Sequence, residues 1–89
     1  MIQKDIKVTN PLGLHARPAA KIVDCAGRFS SDIWLRYNDQ EIDAKSIMSV
    51  LMLAAPVGAV LTLRIEGNDE SPAHDALEQL FATGFGELE

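Results

Sequence analysis

The segment Gly13-Leu14-His15-Ala16-Arg17-Pro18-Ala19 decides the start of this fold, because it joins a turn to a helix. Turn-forming residues precede it in Thr9-Asn10-Pro11-Leu12-Gly13. Small apolar residues follow at helical spacing, at Ala16, Ala19, Ala20, Val23 and Ala26. Pro18 is compatible with this helix only in the first turn, where its missing N–H leaves no hydrogen bond unmade. The pattern therefore predicts a helix from about Ala16 to Ala26, with His15 near its N-cap.

The position of His15 predicts an anion site. At a helix N-terminus the first backbone N–H groups have no partners within the helix, and the helix dipole places positive charge there. Arg17 adds a permanent cation two residues further on. An imidazole, a guanidinium and free amides together suit a phosphoryl group. The alternative is that His15 is only a capping or partly buried polar residue, since short motifs arise readily by chance.

Length and composition predict one small globular domain over residues 1–89, since 47% of the residues are apolar. No apolar run is long enough to span a bilayer. The N-terminal residues also lack the layout of a signal peptide, so a cytoplasmic location without membrane insertion is expected. Cys25 is the single cysteine, which excludes an intramolecular disulfide and disfavours a cysteine-based metal site. It is expected to be a small buried hydrophobic residue, and neither a metal nor a cofactor is expected.

The charge distribution argues against nucleic acid as a partner. The formal net charge is −5, whereas binding to a phosphate backbone requires clustered lysines and arginines. Acidic residues are concentrated between Glu66 and Asp75 and in the final Glu87-Leu88-Glu89, and we expect them to be solvated. The neighbourhood of His15 is locally basic, with Arg17, Lys21 and Arg28 against Asp24. An acidic protein can therefore still carry a local anion site.

Four strands are predicted, three of them from alternating apolar residues and a short one from a turn signal. The alternating positions are Ile2, Ile6 and Val8, then Ile33, Leu35 and Tyr37, then Leu61, Leu63 and Ile65. The sequence Asn38-Asp39-Gln40 predicts a hairpin turn that leads into a short strand, Glu41-Ile42-Asp43.

Cap residues predict the helix boundaries. Gly27 is available as a left-handed cap at the end of the first helix. Ser46 is a good N-cap for a short helix through Leu53. Ser71, followed by Pro72 at the first helical position, predicts the start of a last helix. Its apolar stripe comprises Ala73, Ala76, Leu77, Leu80, Phe81 and Gly84.

The resulting order β-α-β-β-α-β-α is typical of an α+β two-layer domain, with helices on one face of an antiparallel sheet. His74 falls on the polar side of the last helix, where we expect it to be solvated.

Two stretches make this sequence resemble the histidine-containing phosphocarrier family, HPr, of the bacterial phosphotransferase system. One runs from Thr9 to Ala19, and the other is Ala44-Lys45-Ser46-Ile47-Met48-Ser49-Val50-Leu51 with Gly58 behind it. The resemblance covers essentially the whole chain. It implies an open-faced β-sandwich, in which three helices cover one face of a four-stranded antiparallel sheet.

The resemblance implies a phosphocarrier rather than an enzyme. It implies that His15 accepts a phosphoryl group on its pros nitrogen from enzyme I, which takes it from phosphoenolpyruvate, and passes it to an enzyme II A-domain. Arg17 corresponds to the family arginine that contacts the phosphoryl group. Ser46 corresponds to a regulatory serine that a dedicated kinase phosphorylates in some bacteria, although it is also simply a good N-cap. A monomer is expected.

An apolar surface beside the anion site is expected to bind these partners. Leu14, Ile47, Met48 and Leu51 surround two helix starts, and they cannot all face the core. A flexible methionine there suits docking to several partners. The predicted partner-binding residues are Leu14, Ala20, Ile47, Met48 and Leu51. The competing interpretation places Met48, Met52 and Leu53 mostly in the core.

Departures from the sugar-transport members of the family favour the nitrogen-related branch, NPr. Leu12, Asp24, Gly27 and Ser49 stand where those members usually carry lysines or a serine. Resemblance to this branch implies a phosphorelay that passes phosphoryl groups to regulatory acceptors. Membership of the sugar-transport branch is the alternative.

Two further functions compete with a phosphocarrier. One is a regulatory binding module that acts through Ser46 and the surface formed by Ile47, Met48 and Leu51. The other is an enzyme that uses His15 as a general base, which ranks last because no second acid or base stands at a suitable spacing.

Overall fold

A computed structural model describes residues 1–87 as one sheet with helices packed against it. The elements are β1 (Ile2–Lys7), α1 (Ala16–Ala26), β2 (Asp32–Tyr37), β3 (Gln40–Asp43), α2 (Ile47–Met52), β4 (Val60–Glu66) and α3 (Glu70–Ala82), followed by a 3₁₀ turn at Gly84–Gly86. The predicted order of elements is confirmed. Within the described residues, no helix combines the length and the apolar character needed to cross a membrane. Leu88 and Glu89 of the predicted acidic tail lie outside the described residues.

The sheet has the strand order β1-β4-β2-β3, and every neighbouring pair is antiparallel. Ile65 on the interior strand β4 pairs with Ile2 of β1 and with Ile33 of β2. Because side chains alternate along a strand, Ile33 and Leu35 of β2 face the helices together with Leu61, Leu63 and Ile65 of β4, and all five are buried. The opposite face is open, and there Arg64 stacks on the ring of Trp34 at 4.1 Å. The predicted four-stranded antiparallel sheet with one covered face is confirmed.

The core lies between the sheet and the helices. Its largest fully buried side chains include Phe81, Phe85, Ile22, Ile33, Leu35, Leu61, Leu63, Ile65 and Leu77. Cys25 is buried, as predicted, and this burial raises the pKa of its thiol. The core therefore includes residues from the sheet, from two long helices and from the 3₁₀ turn after α3.

Two predicted caps are wrong, although the helices they belong to exist. Gly27 has right-handed backbone angles, with φ −66°, and its N–H donates to the carbonyl of Val23 at 2.9 Å. The helix ends by continuing briefly in right-handed geometry, which satisfies its last carbonyls without a left-handed residue. At the other end of the chain, α3 begins at Glu70 with Asp69 as its N-cap. Pro72 is the third helical residue, where a missing N–H still leaves no helical bond unmade.

The hairpin turn between β2 and β3 is confirmed but is shorter than predicted. Asn38 and Asp39 alone form it, with φ of 52° and 63°, and Gln40 already belongs to β3. Two consecutive left-handed residues match the right-handed twist of the strands, and asparagine and aspartate tolerate this conformation.

His74 is not solvated as predicted, since its side chain is only 14% exposed. It follows buried Ala73 at the edge of the buried stripe of α3. Its ring lies between two carboxylates, 3.2 Å from Asp75 and 3.2 Å from Glu78. The position next to the buried stripe explains why the ring is covered.

Asp69 explains why α3 begins earlier than the Ser71-Pro72 signal indicates. Its carboxylate accepts backbone N–H groups from Ser30 at 2.8 Å and Ser31 at 2.9 Å, and it also accepts the Ser31 hydroxyl. These bonds join the loop after α1 to the N-cap residue of α3. The Ser31 hydroxyl, followed by the Ser30 amide, lowers the pKa of Asp69 from 3.8 to about 2.

We expect Asp69→Asn to reduce the free energy of unfolding at neutral pH and to remove a pH dependence. A depressed pKa adds stability that is present above the ordinary value near 3.8 and is lost as the pH falls through about 2. The difference between wild type and variant should therefore narrow between pH 4 and pH 2. Denaturant unfolding across this range measures it, and Asp32→Asn, at an exposed position of β2, is the control. A constant difference at every pH would contradict the prediction.

Candidate functional site

His15 occupies the N-cap position of α1, as predicted. Its backbone is extended, with φ −80° and ψ −169°, and its carbonyl accepts the N–H of Ala19 at 3.0 Å. The imidazole makes no capping hydrogen bond to the helix, and the side chain is 36% exposed. Pro18 is the third residue of the helix, within the first turn. The ring is therefore not needed to start the helix and is accessible from solvent.

The loop before His15 is held by close backbone contacts. Gly13 has a φ of +69°, and a Cβ there would lie 2.5 Å from the carbonyl oxygen of Ala55. Only glycine fits this conformation and this close approach. The N–H of Leu14 donates to the same Ala55 carbonyl at 2.9 Å, and buried Asn10 donates to the Gly13 carbonyl at 2.7 Å. These contacts fix the position of the histidine backbone.

Arg17 lines a surface cleft of about 370 Å³ together with Lys21, Pro11, Leu12, Gly86 and Glu87. Its guanidinium forms no hydrogen bond or ion pair within residues 1–87, so it is available to an incoming anion. Lys21 donates through Nζ to the carbonyl of Phe85 at 2.5 Å. The sequence predicts a locally basic neighbourhood around His15. One of its cations, Lys21, is used to hold the C-terminal segment.

Glu87 is the site residue that sequence reasoning missed. Its Oε1 lies 3.2 Å from Nε2 of His15 and accepts a hydrogen bond from Asn10 at 3.1 Å. The Glu87 side chain is only 16% exposed, so its predicted solvation is wrong. The approach arises because Phe85 is buried against Phe81, which returns the chain to the start of α1. No local pattern marks a contact across 72 residues.

Burial of the Glu87 carboxylate opposes its ionisation, but two hydrogen bonds outweigh that effect. The bonds from His15 and then Asn10, together with the positive charge of Arg17, leave the pKa of Glu87 below its ordinary value. The group next to His15 is therefore a carboxylate anion at neutral pH.

The predicted partner surface is only partly as expected. Met48 is 66% exposed and Ile47 39% exposed, while Ala20 is exposed and Leu51 is partly buried. Leu14 is buried in the core, so its assignment to this surface is wrong. Its N–H bond to the loop after α2 turns this residue inward.

Two further large apolar side chains, outside the predicted partner-binding set, are exposed. Leu12 is 76% exposed and Met52 is 66% exposed. The interpretation of Met48 and Met52 as core residues is therefore wrong, whereas Leu53 is buried. No sequence signal separates these neighbouring apolar residues, because α2 has only six residues.

Ser46 is the N-cap of α2, as predicted. Its hydroxyl accepts the backbone N–H of Ser49 at 3.4 Å, and the residue is partly exposed. This bond satisfies one of the free N–H groups of the first turn.

Fold and site together define a small phosphocarrier-type domain, an α+β sandwich that presents one histidine at the start of a helix. Residues 2–83 match the sequence model of the family described as the PTS HPr component phosphorylation site. The chain belongs to the HPr family of the phosphotransferase system, whose members are phosphocarriers and not enzymes.

Known proteins are similar to this chain over most or all of its length. The phosphocarrier protein HPr of Cupriavidus necator is 49% identical over 89 residues, which is 100% of both chains. The HPr-like protein Crh of Halalkalibacterium halodurans is 44% identical over 86% of this chain and 92% of its own. A crystal structure of HPr from Thermoanaerobacter tengcongensis has a TM-score of 0.96 at 43% identity and covers 100% of each chain.

The comparisons confirm the predicted fold class and the phosphocarrier class. An HPr dimer from Thermoanaerobacter tengcongensis is also similar, with a TM-score of 0.79 at 44% identity, covering 98% of this chain and 100% of that one. The monomeric state expected from the sequence therefore stays a prediction.

Proposed function

We propose that this protein accepts a phosphoryl group from enzyme I on Nδ1 of His15 and donates it to an enzyme II A-domain. The observation that carries the proposal is an accessible imidazole at a helix N-cap that takes no part in capping. An unengaged guanidinium, that of Arg17, lies within the same first turn.

The geometry suits a reaction that depends on positioning and electrostatics. Phosphoryl transfer passes through a loose transition state with charge on the equatorial oxygens, so aligned positive dipoles do most of the work. The N–H groups of Ala16 and Arg17 begin α1 and have no partners within the helix. Pro18 contributes none. A partly exposed site with two amides and one guanidinium holds a phosphoryl group without enclosing it, which suits a carrier that must also release it.

Labelling of the wild-type protein tests this function directly. Phosphoenolpyruvate with ³²P in its phosphoryl group and enzyme I from the same cell should give one phosphate per chain. The mark should be labile in acid, as a phosphohistidine is, and peptide mapping should place it on His15. Absence of label, or an acid-stable label on another residue, would overturn the proposal.

We expect Arg17→Ala to slow phosphorylation by enzyme I by about 10- to 100-fold. A charged hydrogen bond to the phosphoryl anion contributes about 1.5–3 kcal/mol. Because the site is partly exposed, we expect the contribution of Arg17 to lie toward the lower end of this range. Arg28→Ala is the control. Arg28 follows the C-terminal end of α1, and its guanidinium pairs with Asp24 on the surface. Rates from rapid-quench labelling measure the effect, and equal rates for the two variants would contradict it.

The nitrogen-related branch is a separate part of the proposal. Leu12, Asp24, Gly27 and Ser49 replace residues usual in the sugar branch, and fewer cations weaken electrostatic steering toward its acidic partners. The phosphorylated protein should transfer faster to a regulatory A-domain than to a sugar-permease A-domain of the same cell. Faster transfer to the sugar-permease domain would overturn this assignment.

Regulation through Ser46 is the second candidate function, and the exposure of Ile47 and Met48 beside it favours a binding role for this surface. A phosphate on Ser46 adds negative charge at a positive helix end, which the fold can accommodate. Incubation with a cognate kinase and mass spectrometry of the product test this role. An unmodified Ser46 leaves it as a helix cap.

A further inference from the structure

We propose that Glu87 is a positioning residue that holds the proton of His15 on Nε2 and so leaves Nδ1 bare for phosphoryl transfer. The inference rests on the proposed function of His15. An ionised carboxylate can only accept hydrogen bonds, so the hydrogen atom in the 3.2 Å contact with Glu87 belongs to Nε2. In a neutral imidazole the other nitrogen then carries the lone pair. No group within residues 1–87 hydrogen-bonds to Nδ1.

The carboxylate is oriented by Asn10, which is completely buried. Its Nδ2 donates to Oε1 of Glu87 at 3.1 Å and to the Gly13 carbonyl at 2.7 Å. The amide therefore fixes the loop before His15 and the partner of its ring together. A supporting group of this kind is typical of positioned catalytic side chains, in which a third residue orients the second.

The segment that carries Glu87 is anchored by contacts that do not involve the His15 imidazole. Phe85 is 1% exposed and packs edge-to-face on Phe81, with 4.8 Å between ring centroids. Lys21 of α1 donates to the Phe85 carbonyl. Gly86, with a φ of +75°, then turns the chain toward the imidazole. The carboxylate is thus presented by packed residues, so little ordering remains to be done when a partner docks.

The reaction balances with the proton kept on Nε2. The Nδ1 lone pair attacks phosphorus, the Nδ1–P bond forms, and the bond from phosphorus to the phosphoryl-donor group of enzyme I breaks. The electron pair of that bond stays on the donor group. The acceptor ring, now with a proton on Nε2 and a phosphoryl group on Nδ1, becomes cationic, and the Glu87 carboxylate stabilises this charge. Donation to the next acceptor reverses these changes.

Variants at Glu87 separate positioning from charge. Glu87→Ala removes the acceptor, whereas Glu87→Gln keeps an acceptor oxygen without the negative charge. Glu78→Gln is a matched control, because Glu78 stands 3.2 Å from the Nε2 of the other histidine, His74. The first readout is the tautomer of His15, obtained from ¹⁵N shifts of its ring nitrogens in the unphosphorylated protein.

We expect wild type and Glu87→Gln to hold the Nε2–H tautomer, and Glu87→Ala to lose this preference. Phosphorylation by enzyme I should slow about 10-fold in Glu87→Ala and by a smaller factor in Glu87→Gln. Glu78→Gln should change neither readout.

An unchanged tautomer in Glu87→Ala overturns the proposal. The proposal is also overturned if Glu87→Ala is phosphorylated as fast as wild type or faster. That result would show that the Glu87 carboxylate only competes with the phosphoryl group for Arg17. Failure of the proposed function has a different signature, because wild type would then remain unlabelled while its tautomer is still measurable.

Discussion

Replacing His15 with alanine is expected to abolish the acid-labile label from phosphoenolpyruvate and enzyme I while leaving the fold intact. The imidazole makes no capping bond, so α1 keeps its N-cap backbone when the ring is removed. Within residues 1–87 the ring hydrogen-bonds to Glu87 alone, and that carboxylate keeps its bond from Asn10 in the variant. Loss of the nucleophile removes the reaction entirely and not by a factor.

His74→Gln is the matched control, because the chain has 2 histidines. His74 lies on α3 between two carboxylates, and glutamine keeps a polar side chain of similar length there. Label should persist in this variant at the wild-type level. Circular dichroism and thermal unfolding establish that both variants are folded. An acid-labile label that survives in His15→Ala would remove His15 from the mechanism.

Phe81→Ala is expected to lower the free energy of unfolding by about 3–5 kcal/mol, the usual cost of truncating a buried phenylalanine. The Phe81 ring is 1% exposed and forms an edge-to-face pair with Phe85. Its removal leaves a cavity under the C-terminal segment and takes away the support of its aromatic partner. Domains of this size are stable by only about 5–15 kcal/mol, so the variant should lose a large share of its stability.

Urea unfolding of the variant and of Phe29→Ala measures the effect. Phe29 packs against the core but is only partly buried, so its truncation should cost clearly less. Equal losses in the two variants would contradict the central role assigned to Phe81.

Local patterns in the sequence determined most of the secondary structure and the place of His15 in it. Pro18 can stand only in the first turn of a helix, so it located His15 at the N-cap of α1. The alternation in β4 identified a strand with one buried face, and Ser46 marked the start of α2. Each of these signals depends on residues within one or two turns, where backbone geometry and hydrogen bonding follow directly from residue type.

The tertiary structure alone decided which distant residues meet. Asp69 became the N-cap of α3 because its carboxylate binds the loop at Ser31, 38 residues away. Leu14 turned into the core because its N–H pairs with Ala55 beyond α2. Glu87 reached His15 because the burial of Phe85 returns the chain to α1. Helical and strand periodicities describe single elements, whereas these contacts depend on how packed elements place remote side chains together, which no local pattern encodes.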